Sequence, residues 1–171
     1  FPTSHEAILL RANPVRTHRY NIAFDYTIMC NLYRNKHLQY YMPPEQLQTL
    51  KNQLAQALES QNKGDIDTAE QLTTTVLSVL QTSQQQNNEY DDVLASALLR
   101  QADVQQRRGN YSMALESAQQ VFGIAERIQR PDFSAMAWNY IGNIQIKLGE
   151  YQTALESFTN ALSIYTASGE K

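Results

Sequence analysis

The feature that most constrains the fold is the segment 131–166, in which two helix-forming halves are separated by Gly149. In each half, mainly apolar and small residues recur at steps of three and four, which is the spacing of one face of an α-helix. The residues in question are Trp138, Ile141 and Gln145 in the first half and Tyr151, Ala154, Phe158, Ala161 and Leu162 in the second. Glycine commonly ends a helix because it adopts the left-handed backbone conformation at little cost. The segment therefore predicts a helical hairpin that turns at Gly149.

Small residues predict where the two helices of this hairpin cross. Helix axes approach to about 8–10 Å only where the side chains between them allow it. Gly142 and Ala154 supply short side chains at the expected crossing. The larger side chains of Trp138, Tyr151 and Phe158 are expected to fill the space around them.

The same pattern recurs twice earlier in the chain. A shift of 40 residues places Gly109 on Gly149, and the run 114–117 on the identical run 154–157. A further 45 residues back, Gly64 occupies the same place in a more degenerate copy. Three helical hairpins are therefore expected. Their predicted helices span residues 43–62, 66–82, 89–108 and 111–128, followed by the two on either side of Gly149.

Together, the conserved-type positions of the last hairpin resemble a known repeat. These positions are Trp138, Ile141, Gly142, Gly149, Ala154, Phe158 and Ala161. The set resembles the tetratricopeptide repeat, abbreviated TPR. The resemblance implies an all-α fold, a right-handed superhelix of antiparallel helical hairpins over residues 43–171. A spacing of 40 residues exceeds the usual 34 of this family, which indicates helices about one turn longer, as in a variant associated with its regulatory members.

Residues 1–42 are expected to form an N-terminal extension or linker with less certain structure. Residues 3–6 resemble a capping box that would open a short helix over residues 4–12. Residues 20–40 show a two-residue apolar alternation typical of a strand, and also an apolar stripe at helical spacing. A helix is favoured because the rest of the chain is helical, and a β-hairpin turning near Asn35 is the alternative.

The composition is that of an ordinary soluble protein with a reducing location. The chain has 171 residues, 42% of them hydrophobic and 18% charged, with a net charge of −3. No apolar run approaches the ~20 residues that a membrane span needs, so no membrane contact is expected. Residues 42–171 carry nine Lys or Arg against fifteen Asp or Glu, which argues against direct nucleic-acid binding by the repeats. The single cysteine excludes an internal disulfide and fits a cytoplasmic location.

Catalytic and metal-binding patterns are not found. His18, Cys30 and His37 could be imagined as ligands, but their spacing matches no known zinc pattern. The chain has no phosphate-binding loop and no dinucleotide-binding glycine motif. The acidic pair Asp91 and Asp92 lies near a predicted helix start, where the helix dipole favours negative charge. We therefore expect no enzyme, no cofactor and no metal.

The TPR resemblance implies a ligand groove on the concave face, which the first helix of each hairpin lines. The groove side is expected to present Asn139, Asn143, Ile146 and Lys147 from the last hairpin and Arg100, Asp103 and Arg107 from the hairpin before it. An asparagine amide can donate to and accept from one peptide unit, and an arginine can hold a ligand carboxylate in forked geometry. The alternative interpretation is that Arg100 and Arg107 pair with Asp103 across helix turns.

Two functions from different classes follow from these expectations. The first is a non-catalytic scaffold that binds a protein or peptide segment in the concave groove. The second is a regulatory domain of a larger bacterial signalling protein, such as a peptide-responsive transcription regulator, since residues 1–13 resemble the closing helix of a helix-turn-helix domain. Leu54 and Leu99 stand where TPR receptors of chaperone tails carry a lysine, which argues against that class.

The last helix predicts a further contact. It still carries Phe158, Leu162, Ile164 and Tyr165, whereas a helical repeat stack needs a terminal helix with a polar outer face. We expect either that the protein continues or that this end packs against another copy. Self-association is therefore possible through the C-terminal helix, or through the aromatic residues of the N-terminal segment.

Overall fold

The computed structural model describes residues 42–83 and 87–169, and every regular element in these ranges is an α-helix. The helices are α1 (Pro44–Lys63), α2 (Ile66–Thr82), α3 (Asn88–Arg108), α4 (Tyr111–Arg127), α5 (Pro131–Leu148) and α6 (Tyr151–Ser168). The all-α prediction is confirmed, and the predicted helix limits agree with the observed ones to within a residue or two. The predictions for residues 3–12 and 20–40 lie outside the described residues.

Each of the three hairpins turns on a glycine in the same left-handed conformation. The glycines are Gly64, Gly109 and Gly149, with φ of +81°, +81° and +80°. At the last turn, the Gly149 N–H donates to the Ile146 carbonyl at 3.0 Å and the Glu150 N–H donates to the Gln145 carbonyl at 2.8 Å. These two bonds satisfy carbonyls that the helix end would leave without partners. The turn is tight enough to bring the next helix back along the first.

The crossing of α5 and α6 depends on the missing side chain of Gly142. A Cβ built on Gly142 would lie 2.8 Å from the Cε1 and Cζ atoms of Phe158, so the aromatic ring occupies the space that a side chain would take. The equivalent pair in the second hairpin is Ala102 with Ala118, both fully buried. The predicted close approach at Gly142 is confirmed. Tyr151 does not help to fill it, because its side chain is 70% exposed at the start of α6.

The buried face of α1 differs from the predicted one in its last turn. Leu58 was expected to point inward with Leu54 and Ala57, but it is 39% exposed. The buried residues follow steps of three and four through Leu54 and Ala57 to Gln61. A glutamine takes the inward position because both its amide atoms find partners on α3, as described below.

The helices form two rows. In the inner row, α3 contacts both α1 and α5. In the outer row, α2, α4 and α6 make no contact with one another within residues 42–83 and 87–169, and each packs on helices of the inner row. Because the inner helices lie closer together than the outer ones, the inner row is the concave side. Its packing is continuous between hairpins, and the Phe122 and Trp138 ring centroids lie 5.0 Å apart between α4 and α5.

Candidate ligand groove

The candidate site is the solvent side of the inner row, which we call the groove, and its two neighbouring helices α3 and α5 carry all the residues assigned to it from the sequence. The exposed members are Arg107, Asn143, Ile146 and Lys147, and the half-buried members are Arg100, Asp103 and Asn139. None of the seven is fully buried. All of them therefore keep some surface at which a ligand can be met.

On α3, the charged residues are held by contacts within the protein. Arg107 Nε donates to Asp103 Oδ2 at 2.8 Å, an ion pair across one helix turn. The Nη atoms of Arg107 have no hydrogen-bond partner in the described part of the chain. A pair of this kind at the surface contributes about 0.3–0.5 kcal/mol, so its geometry can change at little cost when a carboxylate approaches.

Arg100 has a different partner from the one considered in the sequence analysis. Its Nη1 donates to Gln61 Oε1 at 3.1 Å, and Gln61 Nε2 donates to the Arg100 carbonyl at 3.3 Å. The two residues thus join α1 to α3 by a reciprocal pair of hydrogen bonds. The hypothesis of pairing with Asp103 holds for Arg107, whereas Arg100 belongs to the contact between two inner helices.

Tyr140 is a groove residue that the sequence analysis missed. It is half-buried on α5, and burial is the main reason why the pKa of its hydroxyl is raised. The charges of Arg100, Asp103 and Arg107 also act on this hydroxyl, which places it beside the charged residues of α3. One signal in the sequence could have identified it, since Tyr140 stands 40 residues after Arg100, at the same place in the next repeat.

On α5, the polar groove residues lack partners. The side chains of Asn139, Asn143 and Lys147 make no hydrogen bond or ion pair with another residue in ranges 42–83 and 87–169. Ile146 lies among them and is also exposed. The α5 side of the groove therefore offers amide, ammonium and apolar groups at once, while the α3 side offers a guanidinium group that is already oriented.

Other kinds of site were sought in the same residues. No cluster of three or more His, Cys, Asp or Glu side chains that could hold a metal ion occurs within the described ranges. His18, Cys30 and His37 lie outside those ranges. None of the described helices combines the length and the apolar character required to cross a bilayer. Leu54 and Leu99 are buried, so neither side chain faces the groove as a clamp residue would.

Comparison with known proteins supports the resemblance found in the last hairpin. The model of the tetratricopeptide repeat family matches residues 135–165, which run from the first turn of α5 to the last turn of α6. No curated protein and no solved structure matches the chain. The described residues therefore form an all-α, TPR-like helical repeat fold, whose last hairpin matches the tetratricopeptide repeat family.

Proposed function

We propose that residues 43–171 form a non-catalytic scaffold that binds an extended protein or peptide segment along the groove. Tetratricopeptide repeats generally mediate protein–protein interactions, and the match to this family in α5 and α6 supports a scaffold role. The location of the groove on α3 and α5 is our assignment. It rests on the curvature of the inner row and on the side chains that this row presents.

The observation that carries the proposal is the set of groove residues on α5 without internal partners. A buried or half-buried amide normally has a hydrogen-bond partner, and Asn139 is half-buried with none among the described residues. Asn139 and Asn143 can each donate to and accept from one peptide unit of a ligand. Such contacts hold a backbone without depending on its sequence. Ile146 would receive an apolar side chain of the ligand.

Charge gives the ligand a chemical class. The groove carries three cationic side chains, Arg100, Arg107 and Lys147, against one anionic side chain, Asp103. The whole chain is acidic, with a net charge of −3, so the groove differs in sign from the rest of the protein. Opposite charges favour encounter and orientation more than raw affinity. We infer a ligand that combines at least one acidic residue with a branched apolar residue.

The test is titration of the protein with an array of extended peptides that vary in acidic and branched apolar residues. The double variant Asn139→Ala/Asn143→Ala removes two amides, each worth about 1 kcal/mol of hydrogen bonding. Loss of about 2 kcal/mol corresponds to roughly 30-fold weaker binding of the best peptide. The matched control is Gln71→Ala/Asn160→Ala, which removes two exposed amides from the outer helices α2 and α6.

Equal binding by the wild type and the Asn139→Ala/Asn143→Ala variant would exclude these residues from the site. An equal loss in the control variant would show that the binding is not located in the groove. Replacing Lys147 by Glu should further weaken binding of acidic peptides and reduce its dependence on salt concentration.

A second candidate function is a ligand-sensing domain of a larger bacterial signalling protein, such as a peptide-responsive transcription regulator. It is favoured by the spacing of 40 residues between Gly109 and Gly149 and by the lengths of α3 and α5, which have 21 and 18 residues. We propose that these are the long repeats associated with regulatory TPR proteins. The discriminating observation is the gene sequence upstream of Phe1. A helix-turn-helix encoded there would favour this candidate, and the bound peptide should then alter DNA affinity.

A further inference from the structure

The last helix carries an apolar stripe that the groove does not use. We define the α6 stripe as Tyr151, Leu155, Phe158, Leu162 and Tyr165, which follow one another at steps of four, three, four and three. This spacing produces a straight seam along one side of a helix. Three members are strongly exposed, Tyr151 at 70%, Leu155 at 60% and Leu162 at 66%. Within residues 42–83 and 87–169, α6 contacts only α5.

The preceding hairpin shows what the equivalent face binds. Forty residues earlier, Leu115, Ala118 and Phe122 of α4 occupy the places of Leu155, Phe158 and Leu162. They pack against α5, where Trp138 and Ile141 belong to the same apolar cluster. This face of the repeat is therefore shaped to receive another helix through apolar and aromatic contacts.

We propose that the α6 stripe pairs with the α6 stripe of a second copy of the chain, in a closed two-fold dimer. The charges of α6 favour a second copy over a charged partner. The only charged side chain in α6 is Glu156, which lies beside the stripe and not in it. The positions that flank the stripe are held by Gln152, Thr159 and Thr166. Two identical stripes can thus face each other without like-charge repulsion, and a charged partner would find no complementary charge.

The ends of the stripe also suit pairing with itself. Tyr151 and Tyr165 stand fourteen residues apart, about 21 Å along the helix at 1.5 Å per residue. Each places an aromatic ring at one end of the seam, where its hydroxyl can reach water at the rim. In an antiparallel pair, the leucines and Phe158 would lie between these two polar ends.

A head-to-tail arrangement is disfavoured by the other end of the stack. On α5, Trp138 and Ile141 face the preceding hairpin. The equivalent residues of α1, 85 positions earlier, are Gln53 and Gln56. A face with two glutamines does not match the apolar α6 stripe. Pairing of like with like closes on itself, so the assembly should stop at two copies.

The size of the seam sets the strength of the dimer. Standard interfaces bury about 800 Å² on each partner, and a stripe of four helical turns with five side chains covers less than this. We therefore expect a dimer in equilibrium with monomer at concentrations of tens of micromolar. The groove lies on the inner row, so both copies would keep it accessible.

The test is sedimentation equilibrium of the full chain over a range from about one to several hundred micromolar, which spans the affinities of weak interfaces. The mass should rise with concentration from 19.5 kDa toward twice that value. The variant Leu155→Glu places like charges in the seam and should weaken association at least tenfold. The matched control is Met113→Glu, which charges a 50% exposed apolar residue of α4 outside the stripe and should associate like the wild type.

Leu155 is exposed in the monomer, so its replacement should leave the far-ultraviolet circular dichroism spectrum and Trp138 fluorescence unchanged. A wild type that stays monomeric over the whole range would overturn the proposal. Equal loss of association in Leu155→Glu and Met113→Glu would do the same. A mass that grows beyond two copies would exclude the closed dimer. A peptide that binds in the groove without changing the mass would separate this inference from the proposed function.

Discussion

Replacement of Gly142 by alanine is the most direct test of how the last hairpin is packed. The added Cβ would lie 2.8 Å from two ring carbons of Phe158 and 3.1 Å from a third, whereas unstrained carbon contacts lie at about 3.5–4.0 Å. The ring must move by more than half an ångström or the helices must separate. Overpacking of this kind costs about 1–3 kcal/mol.

The same replacement also has a favourable effect, which a control can measure separately. Alanine is better than glycine in a helix interior by about 1 kcal/mol, so the net destabilisation by Gly142→Ala should be about 0–2 kcal/mol. Gly123 lies inside α4, and a Cβ built there meets no atom within 4 Å. Gly123→Ala should therefore stabilise the protein by about 1 kcal/mol. The two variants should differ in free energy of unfolding by about 1–3 kcal/mol.

A third variant identifies the clash as the cause. In a Phe158→Leu background the ring is absent, and Gly142→Ala should be as favourable as Gly123→Ala. The difference between the two backgrounds is the coupling energy of the pair. Urea unfolding can be followed by the fluorescence of Trp138, the one tryptophan of the chain, which lies one helical turn from Gly142. If Gly142→Ala stabilised the wild type as much as Gly123→Ala does, the described crossing of α5 and α6 would be refuted.

Three further predictions concern polar contacts. Arg127→Met should cost about 2–3 kcal/mol in urea unfolding, because Asp91 is 3% exposed at its side chain and would lose two hydrogen bonds of 2.8 Å; an unchanged midpoint would contradict this. Hydrogen bonds from Arg130 lower the pKa of Asp132, so their stabilisation is present above the ordinary aspartate pKa of about 3.9 and is lost as the pH falls through the lower folded value. Thermal unfolding at several acidic pH values should show a weaker pH dependence in Asp132→Asn than in the wild type. Asn87→Ala should cost about 1 kcal/mol, since the Asn87 side chain accepts the Tyr90 N–H at 2.7 Å and caps α3; thermal unfolding measures the loss, and Asn87→Ser should restore most of it.

The number and limits of the helices could be predicted from the sequence because their determinants are local. Gly64, Gly109 and Gly149 each end a helix by a backbone conformation that glycine favours. The apolar spacing between them fixes which side of each helix turns inward. The shift of 40 residues then transfers the assignment from the clear last hairpin to the weaker one before it.

The errors of prediction arise where a distant residue decides. Leu58 is more apolar than Gln61, and hydrophobicity alone places it inside. The structure buries Gln61 because Arg100, 39 residues away, accepts and donates a hydrogen bond to its amide. Tyr151 was expected to fill the crossing, but Phe158 occupies that space without it.

The groove was predictable as a surface and less so in its details. The repeat register places Asn143 and Lys147 on α5 with their side chains accessible. It does not show that Arg100 is engaged by α1, or that Tyr140 stands beside the charges of α3. Both facts depend on how neighbouring inner helices meet, which requires the relative placement of whole hairpins.

The separation of the outer helices has a mechanical consequence. Since α2, α4 and α6 have no direct contact with one another in the described ranges, a bending motion that opens or closes the gaps between them breaks no packing within that row. The joined inner helices, tied at one point by Gln61 and Arg100, would act as the hinge line. We expect the stack to behave as a leaf spring that is soft in this one direction, so that thin and thick guests can be accommodated by elastic curvature while the core of each hairpin stays intact.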